Sequence, residues 1–336
     1  MRRAIVARWI ALFTVLIVAG GLSPTLVLAV EFTIVGPRAM GMGGAGVTVT
    51  TDALATYWNP AGLAMQKSVD IRMQAGAQIT DRLGIADTIN EINGINTNDT
   101  SAANQARLQG LLNRLNGASV SAAGAAGLYL KGYFGDHAFG FNVSDVATGG
   151  LFAPTPLTAS VSGSKLTVNG QLAVRGLEAR QAGLSYAYAF ADKTLSLGAT
   201  VKVIQGAAYA GSVGVVGSEG SLGFTSDLGK ANISTAMGID VGAIYRPSSW
   251  LRLGMIGKDL NQPSFDAPGG GQFKLIPQIR GGLAVNPYSS LTLTFDGDLS
   301  SNKTLLPGVK SRVLSLGAEQ ALFSESLSLR VGALKN

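Results

Sequence analysis

Apolar and polar residues alternate with period two over most of this chain. In Thr194–Val203, Leu195, Leu197, Ala199, Val201 and Val203 share one face, opposite Ser196, Thr200 and Lys202. The same scheme sets Leu291, Leu293 and Phe295 against Thr292, Thr294 and Asp296, and Leu327, Leu329 and Val331 against Ser328 and Arg330. Leu184, Tyr186, Tyr188 and Phe190 oppose Gly183, Ser185, Ala187 and Ala189, while Ile71, Met73, Ala75, Ala77 and Ile79 oppose Arg72, Gln74, Gln78 and Thr80. Sustained alternation predicts strands with one apolar and one polar face.

A soluble β-sandwich would share this alternation, so connection lengths provide a second test. Short connections fall at 134–136, 191–193, 246–249, 286–289 and 323–325. Long, glycine-rich or polar ones fall at 82–117, 148–176, 206–231, 261–274 and 300–308. Short turns at one end and long loops at the other describe an outer-membrane barrel. Phe134, Phe190, Tyr245, Trp250, Tyr288 and Phe323 all lie beside short turns, where a periplasmic aromatic girdle belongs.

Strand-like segments are read near 68–80, 119–133, 137–147, 177–190, 194–207, 232–246, 250–260, 276–286, 290–300, 309–321 and 325–335. With this odd count the first and last segments run the same way and cannot pair antiparallel, whereas bacterial single-chain barrels have even strand numbers. An extra pair at Leu157–Ser162 and Lys165–Val174 leaves the parity odd. The expectation is a barrel over 68–336, truncated at its C-terminus.

One insert breaks the strand pattern. Residues 82–116 read as two helical pieces, the first with Leu83, Ile85, Ile89 and Ile92. Leu108, Leu111, Leu112 and Leu115 stripe the second, with Thr100 or Ser101 as its N-cap. In an extracellular loop such leucines suit either capture of a greasy ligand or packing of one helix on the other.

Composition narrows the function. Arg2, Arg3 and Arg8, the apolar run Trp9–Ala19 and Val27-Leu28-Ala29 read as a signal peptide over 1–29, cleaved after Ala29. The chain has no cysteine, so disulfides, thiolate metal sites and thiol redox chemistry are excluded. No cofactor or metal is expected, because His137 is the sole histidine and lies beside a short turn. That leaves no partner for a serine nucleophile, and the expectation is a protein that is not an enzyme. Three arginines behind the net charge of +6 leave with the leader, and no basic stripe interleaved with aromatics argues for nucleic acid. Gly41, Gly43 and Gly46 match the letters of a dinucleotide fingerprint but lack its strand–helix context. Asp296 and Asp298 share one strand face and read as lumen polarity beside Arg280 or Arg330.

Between leader and first strand, residues 30–67 read as a plug threading the lumen. Gly41-Met42-Gly43-Gly44-Ala45, Asp52-Ala53-Leu54-Ala55 and Asn59-Pro60-Ala61-Gly62-Leu63-Ala64 resemble the N-terminal segment of FadL-type outer-membrane proteins. The chain is most similar to that superfamily's exported TraF-like branch, often labelled conjugal transfer protein TraF. Tyr245-Arg246-Pro247, Trp250-Leu251-Arg252-Leu253-Gly254, Leu283–Tyr288 and Ser311–Gln320 extend the resemblance over most of the mature chain. It implies an all-β barrel of about 14 strands when complete, in a Gram-negative outer membrane, with lipid around it. Hydrophobic small molecules would cross by displacing the plug. A structural role with conjugation or secretion partners is the alternative. Gly41, Gly43, Gly44, Asp52, Asn59, Pro60 and Ala61 are the expected plug or gate residues. Pro60 biases Asn59 away from the α region, and Asp52 is placed to cap a short helix holding Leu54 and Tyr57.

Overall fold

Antiparallel pairing of successive alternating strands builds one large curved wall. The computed structural model describes residues 32–81, 84–117, 119–215, 230–305, 310–323 and 326–336. The leader and Leu83 lie outside these. Eleven strands form the wall: β1 (Asp70–Asp81), β2 (Ser119–Phe134), β3 (His137–Phe152), β6 (Gln171–Phe190), β7 (Leu195–Gly214), β8 (Asn232–Ser248), β9 (Leu251–Lys258), β12 (Gln278–Tyr288), β13 (Leu291–Asp298), β16 (Leu314–Leu322) and β17 (Leu327–Lys335). They neighbour one another in chain order, all antiparallel. Three hairpins stand outside it: β4 (Thr158–Ser162) with β5 (Lys165–Asn169), β10 (Ser264–Asp266) with β11 (Gln272–Lys274), and β14 (Asn302–Lys303) with β15 (Lys310–Ser311). The pair expected at 157–162 and 165–174 is therefore a separate hairpin that ends at Asn169, while residues 171–174 already belong to wall strand β6.

Burial shows which face is which. The apolar sets point outward: Met73 is 84% exposed, and Leu184, Leu197, Leu293 and Leu329 are exposed too. Their alternating neighbours Ser185, Ser196, Thr292 and Thr294 are buried inside. A soluble sandwich would do the reverse, so this polarity belongs to a wall facing hydrocarbon. Phe134, Phe190, Tyr245, Trp250, Tyr288 and Phe323 are all exposed beside the short turns.

Several strands outrun their expected ends. β6 and β7 are 20 residues each, roughly 66 Å at about 3.3 Å per residue against an apolar band about 25 Å tall. Gly149, Gly150, Gly176, Gly206 and Gly211 therefore continue the ladder, where a loop was expected. Against this extension lie α4 (Ile85–Asn93) and α5 (Ala102–Leu115). Ser101 Oγ accepts from Asn104 N at 3.3 Å and caps α5 as expected. The plug holds three short helices, α1 (Pro37–Gly41), α2 (Ala55–Trp58) and α3 (Gly62–Met65).

β1 and β17 run in the same direction, and no ladder joins them among the described residues. Helix α1 stands behind this interval: the Met40 side chain lies over Gly76 of β1, and Gly41 lies against Arg330 of β17.

Candidate functional site

The plug turns twice on itself before it leaves the lumen. Asn59 is extended, at φ −166° and ψ 105°, as the following proline demands. Its amide donates to Val47 O at 3.1 Å and to Ala243 O of β8 at 3.3 Å, while its Oδ1 accepts from Ala61 N at 3.1 Å. One side chain thus holds the corner, the preceding plug turn and the wall together. Asp52 does less than expected: Oδ1 accepts from Leu54 N at 3.0 Å, so it fixes the turn entering α2, which begins at Ala55 with no side-chain cap. The aromatic group of Phe32, Tyr57 and Trp58 fills the plug interior. Trp58 Nε1 donates to Val35 O at 2.7 Å and Tyr57 Oη to Thr33 O at 2.8 Å. Burial, with Tyr129 and Asp259 nearby, pushes the Tyr57 phenol above its ordinary range, so it keeps that donated proton.

Glycines of the wall make the seat. A Cβ on Gly242 of β8 would lie 2.0 Å from Asn59 Oδ1, and one on Gly198 of β7 would lie 2.5 Å from Ala61 N. On Gly332 of β17 it would lie 2.1 Å from Gly43 N, and on Gly317 of β16, 2.7 Å from Met42 O. Gly282 of β12 and Gly140 of β3 meet Thr48 and Thr56 at 2.5 and 2.4 Å. Five of these six positions face another glycine directly across the ladder, in three pairs: Gly198 with Gly242, Gly254 with Gly282, and Gly317 with Gly332. Within the plug, Gly43 has φ +63° and Gly44 φ +86°, conformations that L side chains resist.

Polar contacts then fix the register between plug and wall. Asp296 Oδ2 of β13 accepts from Gly46 N at 2.6 Å and Val47 N at 2.8 Å. Lys131 Nζ of β2 donates to Thr51 O at 2.5 Å and Gln66 O at 2.7 Å, and Ser196 Oγ of β7 to Ala61 O at 2.7 Å. Arg38 forks onto Glu319 of β16 at 3.0 and 2.6 Å, and Glu319 also takes Arg330 of β17. Lys258 Nζ of β9 sits 3.4 Å over the Tyr57 ring and 4.5 Å over Phe32, whose ring also lies 4.3 Å from the Arg280 guanidinium. Arg280 Nε donates to Asp298 Oδ1 at 2.6 Å. Of the carboxylates expected to give wall polarity, Asp298 pairs with Arg280, whereas Asp296 holds the plug.

Above the plug the lumen is closed again. Phe265, Phe273 and Leu275 pack on Leu177 of β6 and on Ile204 and Ala208 of β7. Phe265 rests on Gly206. A void of about 50 Å³ remains between this lid and the plug, bordered by Phe32, Tyr57, Leu177, Leu275, Lys258 and Gln278. Benzene occupies engineered cavities of about 150 Å³, so an aromatic molecule enters here only if plug or lid yields.

The structure brings Gly41, Gly43, Gly44, Asn59, Pro60 and Ala61 into this plug–wall contact, with Asp52 at its edge. Leu108, Leu111, Leu112 and Leu115 are elsewhere. They are buried with Ile85, Ile89, Ile92, Leu157 and Leu166, against Val120, Leu151 and Leu172 of the extended wall. Those three strand positions belong to the outward face, so the leucines pack a cap outside the barrel, away from the void. His137 is exposed on the outer face, its Nδ1 2.8 Å from Tyr186 Oη. Sequence reading missed the wall glycines, Lys131, Lys258 and the lid. Glycine recurring on the inward side of alternating strands was the signal for the first.

An inside-out antiparallel wall with the N-terminal segment packed against its inner face has the fold of FadL-type β-barrels. The model of the family described as "F plasmid transfer operon, TraF, protein" matches residues 56–298, and the chain belongs to that family. Among solved structures, the TodX deltaS2S3 mutant monoaromatic hydrocarbon channel superposes with a TM-score of 0.51 at 15% identity, over 89% of this chain and 82% of that one. The CymD monoaromatic hydrocarbon channel gives 0.49 at 14% identity, over 92% and 86%. The P. putida toluene transporter TodX gives 0.39 at 12%, over 86% and 89%. None of the curated proteins matches the sequence.

Proposed function

We propose that this protein is an outer-membrane channel for hydrophobic small molecules, closed as seen here and gated by its N-terminal plug. The observation that carries the reading is the void between plug and lid. Half of its border is aromatic or aliphatic (Phe32, Tyr57, Val146, Leu177, Ala179 and Leu275) and half is polar, with Lys202, Lys258 and Asp259 in the polar half; both of its barriers are separate from the wall itself. Directional polar contacts set the register of the plug on the wall, beside apolar packing of Leu63, Ala64 and Met65 on Ala138, Ala187 and Ile244. Asn59, with Pro60 and Ala61, would be the hinge of the gate, and Gly41, Gly43, Gly44 and Asp52 its guides. The monoaromatic hydrocarbon channels of similar fold suggest the ligand class. A cleaved leader over 1–29 would deliver the chain to the outer membrane, with short turns on the periplasmic side.

The test is uptake of radiolabelled aromatic and aliphatic compounds by cells with and without the gene, and with Asn59→Ala. The expected result is uptake above background that rises in the variant. No difference across the panel would instead favour a structural component of a conjugation or secretion apparatus. One observation already favours that second reading: the wall glycines leave the seated plug no slack.

A further inference from the structure

The short-turn mouth of the lumen carries basic side chains that form no salt bridge among the described residues. Lys193 lies in the β6–β7 turn, within Ala191-Asp192-Lys193, three successive non-glycine residues at φ +47°, +52° and +66°. Thr194 O accepts from Arg246 N at 2.7 Å, which places the end of β8 against that turn. Arg246 and Arg252 take the inward side of their strands, since Tyr245 and Leu253 are the exposed neighbours. Burial and the charges of Lys67 and Arg246 hold the Lys193 ammonium below its ordinary pKa, with Asp136 opposing them.

The carboxylates of this end are engaged elsewhere. Asp136 binds Lys67 at 3.1 Å, Glu319 binds Arg38 and Arg330, and Asp52 and Asp70 face Arg72. Asp192 is exposed on the turn itself and makes no ion pair. Among the described residues, Lys193, Arg246 and Arg252 have no carboxylate in salt-bridge range. The polar partner recorded for the Arg252 guanidinium is neutral, Asn286 Oδ1 at 3.1 Å.

We propose that this mouth is a docking site for an acidic peptide segment of a soluble partner. Charge complementarity identifies the occupant. A lipid headgroup is the poorer fit, because Arg246 and Arg252 face the lumen, while the outer surface at this level carries Phe190, Tyr245 and Trp250. The site is independent of whether the plug ever opens.

Binding of fluorescent hexaglutamate to the full chain in zwitterionic nanodiscs tests it. Hexaglutamate should bind more tightly than hexalysine, and affinity should fall steeply between low and physiological salt. The double variant Lys193→Asn with Arg246→Gln should weaken it about ten-fold, the order expected for losing two complementary charges. Asparagine suits the left-handed turn position, and Arg246→Lys should retain binding. Unchanged affinity in the double variant would overturn the proposal. So would equal binding of hexalysine, or displacement of hexaglutamate by phosphatidylglycerol or inorganic phosphate at equal charge. Uptake of hydrophobic compounds by the double variant, measured separately, should match the parent chain's.

Discussion

The plug seat and the helical cap are built on opposite rules. In the lumen, Asn59, Asp296, Lys131 and Glu319 join plug to wall, and contact depends on the absence of side chains at Gly198, Gly242, Gly317 and Gly332. On the outer face of the extended strands, α4 and α5 are held by isoleucines and leucines, with Leu112 fully buried. The first contact fails when one methyl is added. The second fails when methyls are taken away.

Four substitutions test that contrast. Leu112→Ala should cost the cap about 2–5 kcal/mol, exposing the 85–115 segment to trypsin while the barrel still shows its folded mobility in unheated gels. Asp296→Ala leaves two plug amides without their charged acceptor and should cost about 1.5–3 kcal/mol, read as protease access to residues 32–67. Gly242→Ala should cost about 1–3 kcal/mol by overpacking; if its melting temperature and plug protection match the parent's, the contrast is wrong. Ser101→Ala removes the cap of α5 for about 1 kcal/mol, a small shift in proteolysis confined to the insert.

How much of this was legible in the sequence follows from the range of each interaction. Period-two alternation is local, so Leu195–Val203 and Leu291–Asp296 disclosed both the strands and their outward apolar face. Asn59-Pro60-Ala61 marked the plug corner because proline acts on its immediate neighbour. The partners of that corner were not legible. Nothing near Gly242 or Asp296 indicates that Asn59 or Gly46 will arrive from some 180 or 250 positions away. The lid was missed for a similar reason: Phe265 and Phe273 flank a run of three left-handed glycines that reads as loop, and their burial depends on Ile204 and Ala208 of another strand. The stripe Leu108–Leu115 was legible as a helix face, but not the side of the wall it would cover.

The close approach of Gly43 to Gly332 also sets an order of events. Threading the N-terminal segment past β17 afterwards would drag side chains through a contact that has no room for a Cβ. The expected order has that segment lying in place before β16 and β17 pair beside it. The plug is then a template for assembly as well as an obstruction, and a chain lacking residues 36–64 should insert slowly and leave its final strands unprotected.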